Sequence, residues 1–408
     1  MIHIPEFFIF HAVFNSETHH FNALNTWFGA FSFFLEVDNI LTDQQYMRRA
    51  LELAARGMGR TAPNPMVGAV IVKDEEIIAE GWHHQCGGLH AERDALSRCT
   101  ADPAGATMYV TLEPCCHTGR QPPCVEAILD AGISRVVIGS PDPNPLVAGK
   151  GVSILQENGV AVRIGVLREE CDRLNQVFLH YITRKQPYVV MKYAMTMDGK
   201  IAAYTGLSQW ITGEEARAHV QTQRHRCTGI MVGVGTVLAD DPMLTCRMEG
   251  GKNPVRIICD SGLRTPLDSK LVSTAREVPT ILATCSADEE KIRAYEGAGC
   301  TVIRTPAQAG RVDLPFLMKE LGRREIDSIL LEGGGTLNWS MLSAGLVCKV
   351  QAYIAPKLFG GYSAKTPVEG QGFPSPAEAV LLEHPVVTQL GPDILIESEV
   401  IDHVYRHR

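Results

Sequence analysis

Two successive α/β units are what this sequence predicts, on three observations. Short apolar runs such as Val67–Val72, Thr107–Leu112 and Gly229–Val234 recur along the chain, at the length of buried strands. Segments of helical spacing, Glu214 to Arg226 among them, alternate with these runs, the pattern of a sheet covered by helices on both faces. Near Arg184-Lys185-Gln186-Pro187 the series stops and a second one opens.

In order, Thr42 or Asp43 reads as a helix cap, with Tyr46, Ala50, Leu53 and Ala54 at helical spacing behind it. Gly57 to Pro65 is a breaker-rich loop. Val67–Val72 and Ile77–Gly81 read as strands joined by the charged turn Lys73-Asp74-Glu75-Glu76. A helix over His90 to Arg98, a strand over Thr107 to Leu112, a helix over Pro123 to Ala131, a strand over Arg135 to Gly139 and a helix over Gly151 to Asn158 follow. One helix from Arg168 to Ile182 is expected to link the units. The second unit opens with Tyr188 to Ala194 and continues through the helix Glu214 to Arg226 and strands at Gly229–Val234, Val255–Asp260, Thr280–Ala283, Thr301–Arg304, Ser328–Leu331 and Lys349–Ala355. The expected division is an extension over 1–41, a first domain over 42–185 and a second over 186–402. The Phe-rich extension is expected to be disordered or not native, with Met47 one candidate internal start.

Composition narrows the classes. At 408 residues the chain is long enough for two or three domains. A net charge of −8 argues against general attraction to nucleic acid or anionic membrane. A phosphorylated small substrate would need local basic residues instead. Twelve scattered cysteines and no secretory signal point to free thiols in a cytoplasmic setting. No apolar run reaches the ~20 residues a membrane helix needs.

Chemistry concentrates in His90-Ala91-Glu92, Pro114-Cys115 and Cys124. An H-x-E followed by P-C and a second cysteine is the signature of a zinc deaminase: three protein ligands hold the metal, and the carboxylate stays off it to move protons. Eight residues, Cys116 to Pro123, separate the cysteines, more than the usual two. Neighbours on an extended segment point opposite ways, so one of Cys115 and Cys116 faces the metal. In the second unit Gly233-Val234-Gly235-Thr236 and Glu332-Gly333-Gly334-Gly335-Thr336 each follow a strand. Such glycines let a backbone approach phosphates ahead of a helix. With Trp210 they favour a dinucleotide, although the standard G-x-G-x-x-G fingerprint is missing.

At these residues the chain resembles the bifunctional riboflavin-biosynthesis deaminase/reductase family. The resemblance runs from about Asp43 to Glu399. It rests on Pro63-Asn64-Pro65-Met66-Val67-Gly68, Gly81-Trp82-His83 with His90-Ala91-Glu92, Glu113-Pro114-Cys115-Cys116-His117-Thr118-Gly119 closing at Cys124, Asp142-Pro143-Asn144-Pro145, and Met197-Asp198-Gly199-Lys200-Ile201-Ala202. It implies a cytidine-deaminase-like three-layer domain followed by a dihydrofolate-reductase-like α/β domain. It selects His90, Cys115 and Cys124 for zinc, with Glu92 catalytic. Asn64, His83, His117, Asp142 and Asn144 would line the pyrimidine pocket. NADPH would touch Ala194, Trp210, Thr236, Asp240, Gly333, Gly334, Gly335, Thr336, Leu337 and Asn338. Lys192, Ser208, Arg224, Leu244, Arg247 and Glu332 would contact substrate. Arg224 and Arg247 suit a ribose phosphate as charge-assisted forks. Lys192 sits in an apolar strand, a poor place for an idle ammonium, and Glu332 could equally serve as a helix-start carboxylate.

The resemblance thus implies hydrolysis of the 2-amino group of a phosphoribosylaminopyrimidine and NADPH-dependent reduction of its ribosyl group, in a homo-oligomer. Two alternatives stay open: a deaminase acting on a nucleoside or RNA, and a non-catalytic nucleotide sensor. The acidic charge and the lack of a basic, aromatic-rich tract weigh against RNA.

Overall fold

The structure, a computed structural model, describes residues 43–119 and 121–401. The expected extension and Thr42 lie outside them.

The first sheet has five strands: β1 (Gly68–Lys73), β2 (Glu76–Trp82), β3 (Thr107–Leu112), β4 (Arg135–Ser140) and β5 (Ala161–Ile164), in the order β2-β1-β3-β4-β5. β1 pairs antiparallel with β2 and β3, while β3, β4 and β5 run parallel. Alternating side chains feed two cores. On one face Ala69, Ile71, Met108 and Val110 pack against α2 (Ala91–Leu96), α3 (Cys124–Asp130) and α4 (Lys150–Glu157), through Ala91, Ala95, Val125, Ile128 and Leu155. On the other, Val70, Val72, Tyr109 and Val137 meet Met47, Ala50 and Leu53 of α1 (43–55) and Cys171 of α5 (Arg168–Leu174). The result is three layers, as expected. β5 was missing from the sequence reading, because its half-buried residues carry too weak an apolar pattern.

Asp43 departs from its expected role. Its buried carboxylate is not a helix cap; it accepts from Arg135 (2.6 and 3.0 Å), Arg163 (2.9 Å) and the Tyr109 hydroxyl (2.9 Å). A chain started at Met47 would lose this hub, and Met47 itself is fully buried in α1.

The single linking helix is also corrected. It breaks at Asn175 into α5 and α6 (Gln176–Arg184). The Asn175 side chain makes the break useful: Oδ1 accepts from Met66 N (2.8 Å) and Nδ2 donates to Met66 O (2.9 Å). These two bonds satisfy the Met66 backbone and tie the 57–66 loop down.

The second sheet has nine strands in the order β10-β9-β8-β7-β13-β6-β14-β16-β15. From β10 (Thr301–Arg304) through β9 (Thr280–Thr284), β8 (Val255–Cys259), β7 (Gly229–Gly233), β13 (Ser328–Leu331), β6 (Tyr188–Thr196) and β14 (Lys349–Ala355), neighbours are parallel. β16 (Asp393–Val400) and β15 (Leu382–Leu390) close it as an antiparallel hairpin that the sequence reading did not pick out. Val189, Met191, Met231, Ile329 and Leu331 fill one face; Val190, Ile230, Val232 and Leu330 fill the other. The helices that position the site are α7 (Glu214–Arg226), α8 (Val234–Asp240) and α12 (Gly335–Ser343).

α6 is shared between the halves. Phe178 and Leu179 pack with Leu112 of the first sheet, and Val177 packs beside Tyr188 and Val190 of the second. Across the same seam the Tyr181 hydroxyl donates to Gly322 O (3.0 Å).

Candidate active sites

The first site forms where a strand end and two helix starts converge. Cys115 follows β3, His90 is the N-cap of α2, and Cys124 is the first residue of α3. Cys115 O accepts from the backbone N–H groups of Cys124 and Val125, which folds the long intervening segment back on itself. One ligand atom from each of His90, Cys115 and Cys124 lies within 4.8 Å of the others. His90 Nδ1 stands 3.4 Å from Cys115 Sγ and 3.3 Å from Cys124 Sγ. Tetrahedral zinc with ordinary Zn–N and Zn–S bonds requires about 3.5 Å between such atoms, so the donor set fits the metal in chemistry and in spacing. The Cys124 thiol, and then His90, hold the Cys115 thiol far below its ordinary value, and the bond to Cys115 pushes Cys124 up. Cys116 turns away, toward Leu146 O (3.6 Å), as alternation along the segment required.

Glu92 lies one helical step inside α2, buried and outside the ligand set. Burial, and then the Cys115 charge, push its carboxyl up to about 7. Asn64 Nδ2 donates to His83 Nε2 (3.2 Å), and His83 Nδ1 donates to Leu89 O (2.8 Å). This fixes one tautomer, while burial lowers the His83 pKa and favours the neutral ring. The His83 ring meets His90 edge-on at 5.5 Å. His117 Nδ1 is buried and has no hydrogen-bond partner among the described residues. Asp142, pushed up to about 6 by burial, accepts from Asn144 N (2.8 Å).

Glu113 was quoted in the motif but given no role. Its buried carboxylate accepts from the backbone N–H groups of Asp142, Gly149 and Val152, and so ties the 141–152 loop to the strand end that carries Cys115. An acid at the end of an otherwise buried strand was the available signal. Gly151 packs so closely there that a Cβ would lie 2.3 Å from Pro114 O.

The second site is a cleft of about 1570 Å³ above the C-terminal ends of the parallel strands. Ala194, Trp210, Thr236, Asp240, Gly333, Gly334, Gly335, Thr336 and Leu337 line it, as do Lys192, Ser208, Arg224, Leu244, Arg247 and Glu332. Asn338 does not. It is fully buried, and its Nδ2 donates to Pro367 O (2.8 Å). One residue's difference along α12 turns it about 100° from its neighbour. A Cβ on Gly235 would meet nothing within 4 Å, and one on Gly334 only Thr236 Oγ1 at 3.8 Å. The backbone at both turns is therefore open to a phosphate, which fits a dinucleotide. Gly335 serves packing instead: its Cβ would lie 2.7 Å from Thr366 O.

Arg224 differs from the expected free phosphate fork. Its Nε and one terminal nitrogen pair with the two oxygens of Glu332 (2.8 and 3.0 Å), and the other donates to Thr245 O (3.0 Å). Arg247 remains exposed at the cleft. Glu332 is thus an ion-pair centre, not a helix-start carboxylate; Lys192 Nζ lies 3.7 Å from its Oε2. Lys192 also stands 5.7 Å over the Tyr353 ring, and Arg217 lies 4.8 Å from the Trp210 ring. Tyr353 and Arg217 were not foreseen, since neither lies in a recognisable motif.

A metal-binding deaminase site on one sheet and an open dinucleotide cleft on the next define a deaminase fused to a reductase. Family models agree in both halves. The cytidine and deoxycytidylate deaminase zinc-binding region matches residues 41–140, and the RibD C-terminal domain matches residues 187–396. The chain belongs to the RibD family of bifunctional riboflavin-biosynthesis enzymes. It is 56% identical over 361 residues to riboflavin biosynthesis protein RibD of Actinobacillus pleuropneumoniae, covering 88% of this chain and 96% of that one. To the protein of the same name from Escherichia coli it is 39% identical over 369 residues, or 87% and 99% of the two chains. Among solved structures, Acinetobacter baumannii RibD superposes with a TM-score of 0.80 at 37% identity, covering 88% of this chain and 99% of that one. A deaminase/reductase from Thermotoga maritima gives 0.77 at 36%, covering 89% and 99%.

Proposed function

We propose that this chain carries out two consecutive steps of riboflavin biosynthesis. The first is hydrolytic deamination of 2,5-diamino-6-(5-phosphoribosylamino)pyrimidin-4(3H)-one. The second is NADPH-dependent reduction of the ribosyl group to ribityl, giving 5-amino-6-(5-phosphoribitylamino)uracil. The observation that carries the reading is the cluster of His90, Cys115 and Cys124 within 4.8 Å beside an unligated, buried Glu92. The deaminase occupies 42–185 and the reductase 186–402.

His90, Cys115 and Cys124 would hold zinc, which when bound would supply the Lewis acidity that makes water a nucleophile at neutral pH. Glu92 would take one proton from the attacking water and give it to the ring nitrogen, then carry the remaining proton of the added oxygen to the amino group, which leaves as ammonia. Asn64 and His83 hold one edge of the pyrimidine, and His117, Asp142 and Asn144 enclose it. Bound in the second cleft, NADPH would supply the hydride. The backbone at Gly333, Gly334 and Thr336 would hold its phosphates, with Gly335 packed behind them, and Ala194, Trp210, Thr236, Asp240 and Leu337 would enclose the rest. Lys192 and Glu332 hold the ribosyl group, with Arg224 keeping Glu332 in place. Ser208, Leu244 and Arg247 complete the substrate side, and Arg247 supplies the exposed positive charge for its phosphate.

The protein is cytoplasmic and acts as a homo-oligomer on this reading. Supporting the second point, β15 is a sheet edge with Leu382, Val386 and Val387 exposed, a surface suited to covering by another subunit. Among the described residues no helix is long and apolar enough to cross a membrane. The test is a coupled assay with the diaminopyrimidine and NADPH on zinc-loaded protein. Ammonia release followed by NADPH oxidation is expected; neither appearing with zinc bound would overturn the reading.

A further inference from the structure

Arg247 is an exposed cation of the reductase cleft, yet it sits on a segment with no helix or strand of its own. Between Asp240 at the end of α8 and Val255 at the start of β8 the chain runs as an open loop. An arginine there holds a phosphate well only if its backbone is already in place, because ordering a free loop on binding costs affinity.

One face of α7 supplies that order. Gln221, Arg224 and His225 are spaced at three and four residues and project from the same side of the helix. Arg224 donates to Thr245 O (3.0 Å), just before Arg247. Gln221 Oε1 accepts from the backbone N–H of Arg247 itself (2.8 Å), and Gln221 O lies 3.5 Å from Cys246 Sγ. His225 Nδ1 accepts from the backbone N–H of Lys252 (3.0 Å), on the returning limb of the loop. Asn253 Oδ1 joins the two limbs by accepting from Cys246 N (2.9 Å). The backbone is thus held at 245, 246, 247 and 252, while the Arg247 side chain stays exposed at the cleft.

His225 is itself held from a second side. Gly59, on the 57–66 loop of the first domain, lies against its ring, where a Cβ would come within 2.4 Å of Nε2 and 2.6 Å of Cε1. With Nδ1 engaged by Lys252 and the far edge stopped by Gly59, the imidazole has little room to turn. The loop that carries Asn64 therefore backs the residue that fixes the loop carrying Arg247.

We propose that Gln221 and His225 are positioning residues of the reductase. They fix the 245–253 loop so that Arg247 meets the phosphate of the substrate, and so set the preference for a phosphorylated over a phosphate-free sugar. Gln221 acts on Arg247 through its backbone N–H, and His225 acts through Lys252 and the closed loop. Single bonds from a helix to a passing loop are ordinary. Here three side chains of one helix face grip the same loop, and one of them takes the N–H of the arginine. The inference rests on Arg247 taking the substrate phosphate.

Reduction of the deaminated intermediate by the full chain at saturating NADPH gives KM and kcat. Calorimetry gives Kd for the reduced product with and without its phosphate. In Gln221→Ala and in His225→Ala, KM and the Kd of the phosphorylated product are expected to rise about three- to tenfold, the worth of one hydrogen bond. The kcat should change by less than about twofold, which also shows the reductase to be folded, and the Kd of the phosphate-free product should not move. His225→Asn should recover most of the loss, since Asn Oδ1 can accept where Nδ1 does. Adding Gln221→Ala to Arg247→Ala should bring no further rise, because the first acts through the second. Equal weakening of both products, no weakening of either, or a fall in kcat without a rise in KM overturns the positioning role; if Arg247→Ala still weakens the phosphorylated product, the phosphate reading stands. An Arg247→Ala chain that binds the phosphorylated product as the parent does overturns the phosphate reading, and the positioning role with it.

Discussion

Arg224 and Glu332, 108 residues apart in the chain, meet as a two-bond ion pair of 2.8 and 3.0 Å on the floor of the reductase cleft. Burial opposes the charge on Glu332, but Arg224 and then Lys192 outweigh it and hold the carboxyl down at about 2. The cleft therefore keeps one anion and two cations in fixed register.

Acid stability should reflect this pair. Glu332 has a folded pKa of about 2 against an ordinary 4.5. Its contribution is fully present above pH 4.5 and is lost as pH falls toward 2. The loss is on the order of 3 kcal/mol. Urea unfolding at stepped pH should show it. Glu332→Gln should flatten the profile in that window, and at neutral pH should cost about 3–5 kcal/mol because Arg224 is left buried without its partner. An unchanged acid profile in the variant would mean that the pair does not govern it.

Glu92→Gln should retain zinc, since Glu92 is not among the clustered ligands. Deamination should fall by about 10²–10⁴-fold, the usual worth of a positioned proton carrier. Reduction of the already deaminated intermediate should be unchanged. Metal analysis with two separate assays checks this; retained deaminase turnover would remove Glu92 from its role.

Chelation of zinc should abolish deamination and spare reduction. The two cores of the first sheet do not pass through the metal ligands, so circular dichroism should show that domain still folded. Re-addition of zinc should release a proton as the Cys124 thiol, pushed up in the metal-free site, ionises, measurable as a pH drop in weak buffer.

Asn175→Ala should cost about 1–3 kcal/mol, because the N–H and C=O of Met66 both lose their partner. The 57–66 loop also carries Asn64, so the deaminase KM should rise more than kcat falls. A change in kcat alone would contradict the idea that Asn175 acts by holding this loop.

The seam between the halves offers a double-mutant test. A Cβ on Gly59, whose φ is +73°, would lie 2.4 Å from His225 Nε2. Gly59→Ala should destabilise by about 1–3 kcal/mol. Adding His225→Ala should recover the clash but leave the cost of the left-handed backbone. Strict additivity of the two changes in denaturation would show that the residues do not touch.

Much of this was legible in the chain. Apolar runs at strand length and helical spacing located most elements, since burial of one face imposes those periods. The candidate metal ligands were legible because their chemistry demands particular residue types close to strand and helix ends, and alternation along the extended segment leaves one of Cys115 and Cys116 to face a metal. β5 and the terminal hairpin of β15 and β16 were not, because their mixed exposure blurs the pattern.

The order of elements and the candidacy of His90, Glu92 and Cys124 were thus carried by local pattern, which short stretches of sequence encode, while the choice of Cys115 over Cys116 came from the family resemblance. Tertiary structure alone decided that Arg224 faces Glu332, that Asn338 turns inward and that Asn175 breaks a helix to hold Met66. Each depends on where a side chain points relative to a segment distant in sequence. That direction is set by packing the whole chain at once, because a buried polar group must find its partner wherever the fold brings one.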